Sequence, residues 1–362
     1  MKIFRQFENK FLVRYKLLLF SFALVKITLL IPCRNEEKSI RKSIESWLAQ
    51  TRPADEIIVV DDCSTDNSAA ILHEYKDRIK TVRTDVNLGK KSHAQQFGLQ
   101  FVTGEVFVST DADTLLTPNF IERIEADFQD PAVAAVGGYV KSLQHNWITR
   151  HRAFEYAIGQ NFHKLAQSYL NCLFVIPGAA GAFRTNVFRH HLSFEHDTIA
   201  EDLDFTYKLH KLGRTLVYDR SAIVYTQDPS TLHGYINQMR RWYGGGWQNL
   251  LKHYNVFKRP AQTLELSLMY TEGLLFSTLA ILVPLLNIRF ALYFMGPYLF
   301  VTLILSIYAA FRERRADMLL VPIPYLFFVH VNAYLFMEQF VLEVLLRKKE
   351  LTWFTPERTP IT

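Results

Sequence analysis

A chain of 362 residues has room for about two domains, and its 49% hydrophobic and 14% aromatic content is uneven, rising sharply from about residue 263. The net charge is +6, no RNA- or DNA-binding motif occurs, and the basic residues cluster near apolar segments. That balance points away from nucleic acid and towards a lipid bilayer and a phosphate-bearing ligand. Cys33, Cys63 and Cys172 have neither metal-like nor disulfide-like spacing and read as small buried thiols of a reducing compartment.

In chain order, residues 1–25 come first. Phe4, Phe7, Phe11, Tyr15, Leu18 and Phe22 recur at helical spacing, with Lys2, Arg5, Lys10 and Arg14 largely off that stripe. This is the pattern of an amphipathic helix lying in a membrane interface, or of one packed on the protein's own core. The apolar run from Leu17 to Val25 is too short to span a bilayer, and no small-residue cleavage site follows it.

From residue 26 to 113, within a domain expected over 26–230, strands and helices alternate. "KITLLIPCRNEE" holds a buried strand over 27–31, "DEIIVVDDCSTDNS" a second, "IKTVRT" a shorter third and "EVFVSTDAD" a fourth. Between them "KSIRKSIESWLAQ", "AAILHEYK" and "KSHAQQFGLQFVTG" have helical periodicity. Continuous apolar strands predict an α/β domain with a parallel sheet covered on both faces. In such a sheet the ligand site lies past the carboxyl ends of the strands.

Polar residues gather at those ends. Arg34, Asn35 and Glu36 follow the first strand, Asp61, Asp62, Ser64, Thr65 and Asp66 the second, and Asp111 and Asp113 the fourth. Asp66 and Asn67 also fit helix caps. Two carboxylates as close as Asp111 and Asp113 repel unless a cation sits between them. Mg²⁺ or Mn²⁺ held by one or two carboxylates completes its shell with water and phosphate oxygens, so the pair implies a divalent ion and a diphosphate.

Farther along, "PGAAGAFR", 177–184, reads as a small, flexible turn or as a place where substrate approaches the main chain. In "RRWYGGGWQNLLKHY" three successive glycines disfavour a helix interior, and a break is expected there, within an interfacial segment over 231–262. Residues 263–346 hold three apolar segments, 263–286, 290–311 and 318–346, each long enough to cross a bilayer. The short "NIR" joins the first two as a hairpin. The third carries Pro322, Pro324, His330, Asn332, Glu338 and Glu343, and reads as a long kinked span or as a re-entrant turn plus an interfacial helix. "RERR", 312–315, marks the cytoplasmic side, and an even crossing count before it puts the preceding domain there too. Residues 347–362 form a tail.

"IPCRNEE", "IIVVDDCSTDNS", "NLGKKSHAQQFGL", "STDADT", "PGAAGAFR", "AEDLDFTYKLHKLG" and "QMRRW" follow one another in the order found in glycosyltransferase family 2, which the chain resembles over roughly residues 26–250. The Gln-x-x-Arg-Trp element, Gln238, Arg241 and Trp242, is similar to that of the processive membrane branch, whose members include synthases of cellulose, chitin, hyaluronan and poly-N-acetylglucosamine. The resemblance implies a GT-A fold and an inverting, metal-dependent transfer from a UDP-sugar to a glycan or glycolipid acceptor at the cytoplasmic face of a cell membrane. It implies that Asp62 bonds the uracil edge with Asp61 beside it, that Arg34 and Glu36 lie near the nucleoside, and that Lys90 lies near the nucleotide. It further implies that Asp111 and Asp113 bind the donor and its Mg²⁺ or Mn²⁺, and that Asp202 is the general base. Gln238, Arg241 and Trp242 would frame acceptor and diphosphate, with Glu201 beside the acceptor. Ala200 stands where the family commonly has threonine.

An inverting transfer needs one base for the acceptor hydroxyl and positive charge for the departing diphosphate, and these residues supply both. Asp202 belongs to an acidic run, Glu195, Asp197, Glu201, Asp202 and Asp204, from which only the resemblance selects it. Three apolar segments are few for a complete export path, which association of copies could complete. The competing readings are a single transfer to a lipid or lipid-phosphate acceptor, a membrane-anchored nucleotide-sugar binder without catalysis, and a transporter suggested by Glu338 and Glu343.

Overall fold

A computed structural model of the chain describes residues 24–143, 146–192, 197–256 and 260–349. Residues 1–23 of the amphipathic segment expected over 1–25, Glu195, and residues 350–362 of the tail expected over 347–362 lie outside the described residues.

The amino-terminal half alternates as its apolar runs require. Strand β1 (Ile27–Cys33) is followed by helix α1 (Ile40–Leu48), β2 (Glu56–Asp61), α2 (Ser68–Glu74), β3 (Lys80–Arg83), α3 (Lys91–Gly98) and β4 (Val106–Ser109). A short β5 (Leu115–Leu116), α4 (Phe120–Asp127) and β6 (Val133–Leu143) come next. Then α5 (Trp147–Ile158) widens into a π-turn over Gly159–Lys164 before α6 (Leu165–Tyr169), β7 (Gly181–Arg184) and α7 (Thr185–His191). Helix α8 (Glu201–Lys211), β8 (Thr215–Gln227) and the long α9 (Leu232–Lys252) close this part.

The eight strands form one sheet in the order β3-β2-β1-β4-β7-β6-β8-β5. β3, β2, β1 and β4 are parallel, as their unbroken apolar runs predict. Beyond β4 the sheet is mixed: β7 runs antiparallel to both β4 and β6, β6 and β8 are parallel, and β5 is antiparallel to β8. The expected turn at 177–184 is half strand, because the small residues Gly181 and Ala182 fit between β4 and β6 at the centre of the sheet.

Both faces of the sheet are buried. On one, Ile27, Leu29, Ile31, Val106 and Val108 pack with Ile44, Trp47, Phe120 and Ile124. On the other, Leu30, Ile58 and Val60 meet the ring cluster of Phe107, Phe183, Phe188 and Phe205, with centroid separations of 5.0 to 5.8 Å. Edge-to-face geometry dominates that cluster, the arrangement favoured by the ring quadrupoles.

The expected break at Gly244, Gly245 and Gly246 does not occur, since all three lie inside α9. Packing overrides propensity here. A Cβ on Gly244 would come within 2.8 Å of Gln339 Oε1, and one on Gly245 within 2.5 Å of Ala200 Cβ. The glycines let α9 touch a neighbour on either side, and that contact offsets the roughly 1 kcal/mol each costs in a helix.

Helices α10 (Pro260–Leu286), α11 (Ile288–Glu313) and α12 (Pro322–Phe340) follow, the last two joined by a 3₁₀ turn at Ala316–Leu320. Three stretches, Gln262–Leu286, Arg289–Glu313 and Pro322–Leu345, are long and apolar enough to cross a membrane. Asn287 caps α11 by accepting from the backbone of Arg289 and Phe290, which makes the hairpin turn tight. The third segment is not kinked by its prolines. Pro322 and Pro324 stand in the first turn of α12, where a missing N–H is harmless.

The polar groups of α12 face protein. Arg240 bonds Glu338 through two contacts of 2.7 and 2.8 Å, Tyr235 Oη donates to Asn332 Oδ1 at 2.9 Å, and Gln248 Nε2 donates to Glu343 Oε1 at 2.8 Å. Residues 235, 240 and 248 therefore meet 332, 338 and 343 in order, and α9 and α12 run side by side in the same direction. Glu338 and Glu343, which had suggested a transport path, are tied to α9.

Candidate functional site

The carboxyl ends of β2, β1 and β4 lie next to one another, so their loops share one edge of the sheet. At the end of β2, Asp61 is buried, accepting from Arg83 Nη1 at 2.8 Å and from the backbone N–H of Ser64 at 3.0 Å. Asp62 Oδ1 accepts from Thr84 Oγ1 at 3.0 Å and from the Leu88 N–H at 2.8 Å. Arg34, from the β1 loop, donates to the Asp62 carbonyl at 3.0 Å. Glu36 is buried and accepts from Ser39 Oγ at 2.8 Å. These four residues make one wall that joins the β1 and β2 loops. Asp66 accepts from the Ser68 and Glu37 N–H groups, which is capping work.

At the end of β4, Asp113 is 2% exposed while the Asp111 side chain keeps 30% of its surface. Asp111 is paired with Lys91, the first residue of α3. Lys91 Nζ also donates to the Gly178 carbonyl at 3.3 Å. Lys90, expected near the nucleotide, stands one residue earlier and is half-buried, so the ammonium that enters the acidic cluster belongs to its neighbour. Sequence reasoning missed Lys91, although the doubled lysine of "NLGKKS" was the available signal.

The loop at 177–180 is held against β4 rather than loose. Thr110 Oγ1 donates to the Ala179 carbonyl at 2.9 Å and the Ala180 N–H to the Pro177 carbonyl at 3.1 Å. Gly178 sits between two charged groups. A Cβ there would lie 3.1 Å from Lys91 Nζ and 3.8 Å from Asp202 Oδ2. Asp111 from β4 and Asp202 from α8 thus meet around Lys91, although 91 residues separate them in sequence.

The first turn of α8 sorts the acidic run. Asp204 turns away from the sheet edge to accept from His253 Nε2 at 2.8 Å, Lys208 at 2.6 Å and Lys252 at 2.7 Å. Burial pushes its carboxyl up, but these three partners outweigh it and hold it well below the usual range. Asp197 pairs with Lys252 at 2.7 Å. Glu201 is different. Burial and the adjacent Asp202 push its carboxyl up against the pull of Lys91 and Arg241. Lys164 feels Asp202 as well, while burial brings its ammonium down to about 8.

The Gln-x-x-Arg-Trp element splits over two neighbourhoods. Arg241 acts on Glu201. Gln238 Nε2 donates to Asp228 Oδ1 at 3.4 Å, and Tyr156 Oη donates to the same oxygen at 3.0 Å. The Arg152 guanidinium lies 4.5 Å from the centroid of the Trp242 ring and 4.7 Å from that of Tyr156. Arg152 is 2% exposed and Trp242 39%. Arg152, Tyr156 and Asp228 carried no signal in the sequence. A cavity of about 220 Å³ is lined in part by Tyr139, Lys141, Tyr156, Tyr225, Glu313 and Arg315, and so reaches the end of α11.

Among the described residues no three His, Cys, Asp or Glu side chains converge to hold a metal by themselves. Asp111 and Asp113, two oxygen-donor groups on one loop, fit instead an Mg²⁺- or Mn²⁺-type ion that takes most of its shell from diphosphate and water.

Residues 28–191 match the family described as Glycosyl transferase family 2. The chain is 29% identical over 232 residues to poly-beta-1,6-N-acetyl-D-glucosamine synthase of Staphylococcus epidermidis, covering 63% of this chain and 56% of that protein. It is 31% identical over 236 residues to hyaluronan synthase of Streptococcus pyogenes, covering 60% and 56%. The match thus spans little more than half the length of these curated relatives. Among solved structures, the mannosyltransferase PcManGT from Pyrobaculum calidifontis, in complex with GDP-Man and Mn²⁺, superposes with a TM-score of 0.61 at 21% identity, over 90% of this chain and 88% of that one. S. aureus TarS 1–349 in complex with UDP-GlcNAc gives 0.51 at 18% identity, over 83% and 91%. At these identities the two structures establish the shared GT-A-like fold.

Proposed function

Because this chain belongs to glycosyltransferase family 2, we propose that it is a membrane-bound inverting transferase that moves a sugar from a UDP-sugar to a growing glycan. The observation that carries this reading is the meeting of Asp111, at the end of β4, with Glu201 and Asp202, at the start of α8, around Lys91. Acidic groups from distant parts of the chain are brought to one edge of the sheet, where a nucleotide-diphosphate ligand belongs.

In this reading Asp61, Asp62, Arg34 and Glu36 form the nucleoside wall, with Lys90 beside it. Asp111 and Asp113 would hold Mg²⁺ or Mn²⁺, which when bound neutralises the diphosphate as it leaves. Asp202 takes the proton of the attacking acceptor hydroxyl, leaving that oxygen free to bond the anomeric carbon. Arg241 lies on the same side, and its planar guanidinium suits phosphate oxygens. Trp242 offers its exposed face to the acceptor sugar while Gln238 holds Asp228 behind it. The helices over 260–345 would anchor the enzyme in a cell membrane with its catalytic domain on the cytoplasmic side. The names of the two curated relatives support repeated transfer.

One observation favours a second reading, a single transfer to a lipid-linked acceptor. The cavity at Tyr156 joins the catalytic sheet to the end of α11, where a head group would lie. Release of UDP by the purified protein over a panel of UDP-sugars, with and without Mn²⁺ or Mg²⁺, tests the shared chemistry. Activity should appear with one sugar and vanish on chelation. A ladder of products supports polymer synthesis, and one added sugar supports the second reading. No nucleotide release from any UDP-sugar would refute both.

A further inference from the structure

Lys91 is drawn into the carboxylates at the sheet edge, and no role follows for it from the transfer chemistry above. Its side chain is 14% exposed and paired with Asp111, and its ammonium donates to the Gly178 carbonyl. Glu201 and Asp202 also act on it, so one positive charge serves three carboxylates. Gly178 keeps the space between Lys91 and Asp202 open, since a Cβ there would sit 3.1 Å from the ammonium.

We propose that Lys91 is a built-in counter-ion that occupies the Asp111 carboxylate before the donor arrives, and that makes divalent-ion binding conditional on the diphosphate. This rests on the glycosyltransferase reading. Without nucleotide, a divalent ion reaching Asp111 must displace an ammonium or sit beside it, and like charges at that distance repel. When a nucleoside diphosphate enters, its oxygens give the ammonium a second anionic partner. Lys91 can then release Asp111 without becoming an unpaired buried charge, which would be costly. Metal and nucleotide binding become mutually reinforcing, because each removes the other's obstacle. A free site would otherwise fill with whichever divalent ion is abundant. Lys91 acts as a positioning residue in this scheme, setting the order in which ligands assemble.

Mn²⁺ binding to the full chain in detergent, followed by the electron paramagnetic resonance signal of free Mn²⁺, tests this with and without UDP. Lys91→Met should bind Mn²⁺ at least about tenfold more tightly than wild type when UDP is absent, the size expected for removing one charge a few ångströms from a divalent ion even in a water-like dielectric. Lys91→Arg should restore weak binding. UDP should tighten Mn²⁺ binding more in wild type than in Lys91→Met. Thermal unfolding with added Mn²⁺ gives a second readout, in which the Met variant should gain more than wild type. Equal or weaker nucleotide-free Mn²⁺ affinity in Lys91→Met would overturn the counter-ion role. Failure of wild type to bind Mn²⁺ even with UDP would instead overturn the metal-dependent reading of the site.

Discussion

The guanidinium of Arg152 lies 4.5 Å from the centroid of the Trp242 ring, and Trp242 keeps 39% of its surface exposed. Arg152 in turn pairs with Glu155 and lies 3.7 Å from Asp228. A cation and two carboxylates therefore fix the platform on which an acceptor sugar would stack. Arg152→Met should cost about 1–3 kcal/mol of stability, because it takes the guanidinium from half-buried Glu155 and buried Asp228, which keep His151, Tyr156 and Gln238. Trp242→Ala should change stability by no more than about 0.5–1 kcal/mol while raising KM for the acceptor or shortening the product. Thermal melts beside product-length analysis check both. A Trp242→Ala enzyme with wild-type products would remove the ring from the acceptor site.

Asp202→Asn isolates the base. Turnover should fall by about 10²–10⁴-fold, with UDP affinity, measured by calorimetry, within a few fold of wild type. Full turnover in the variant would assign the proton to another group.

Gly245 tests the coupling between α9 and α8. Its Cβ would meet Ala200 Cβ at 2.5 Å, directly before Glu201 and Asp202. Gly245→Ala should therefore push the start of α8 and reduce kcat by up to about 10²-fold, the order expected for an ångström-scale misplacement. Ala200→Gly in the same chain should recover part of the loss, since it removes the clashing methyl. No recovery would show that the contact with Ala200 is not the cause.

The acid limit of stability follows from Glu155 and Asp204. Burial raises the Glu155 carboxyl, but His151 and Arg152 outweigh it and hold it down to about 2. Asp204 is lowered by His253, Lys208 and Lys252 against its burial. Carboxyls held below their unfolded values of about 3.9–4.3 contribute stability in full above that range and lose it as pH falls towards the folded values. The melting temperature should stay level down to about pH 4.5–5 and then drop. Glu155→Gln should lower it at neutral pH and flatten the acid limb. An unchanged acid limb in Glu155→Gln would show that this carboxyl titrates alike in both states.

The hairpin of α10 and α11 exposes Leu282, Leu285 and Tyr293 at 47%, 78% and 79%. Leu282→Arg should cost about 2.5–3.5 kcal/mol of membrane insertion if the residue lies near the bilayer centre. Carbonate extraction of membranes should then release more of the variant than of wild type. Equal retention would mean that this position lies outside the hydrocarbon.

Much of this protein could be read without coordinates. Residues 27–31 and the run at 106–109 are apolar on both faces, and only a strand covered on both sides tolerates that, so the parallel half of the sheet was legible. The loops after those strands put Asp61, Asp62, Asp111 and Asp113 at one edge because a parallel sheet sends every such loop the same way. What the runs could not carry was the reversal at β7, which depends on which strand its small residues slip beside. Nor could they say that Gly244, Gly245 and Gly246 continue a helix, because the reward for that helix is contact with Ala200 and Gln339 from other elements. Lys91 rather than Lys90 enters the cluster by the rotation of the first turn of α3, and Asp204 leaves it for His253. Local sequence sets periodicity and the chemistry of each loop. Which of several like-charged neighbours shares a cation is set by distance between segments remote along the chain, because electrostatic energy depends on spatial separation and local dielectric, not on distance along the sequence.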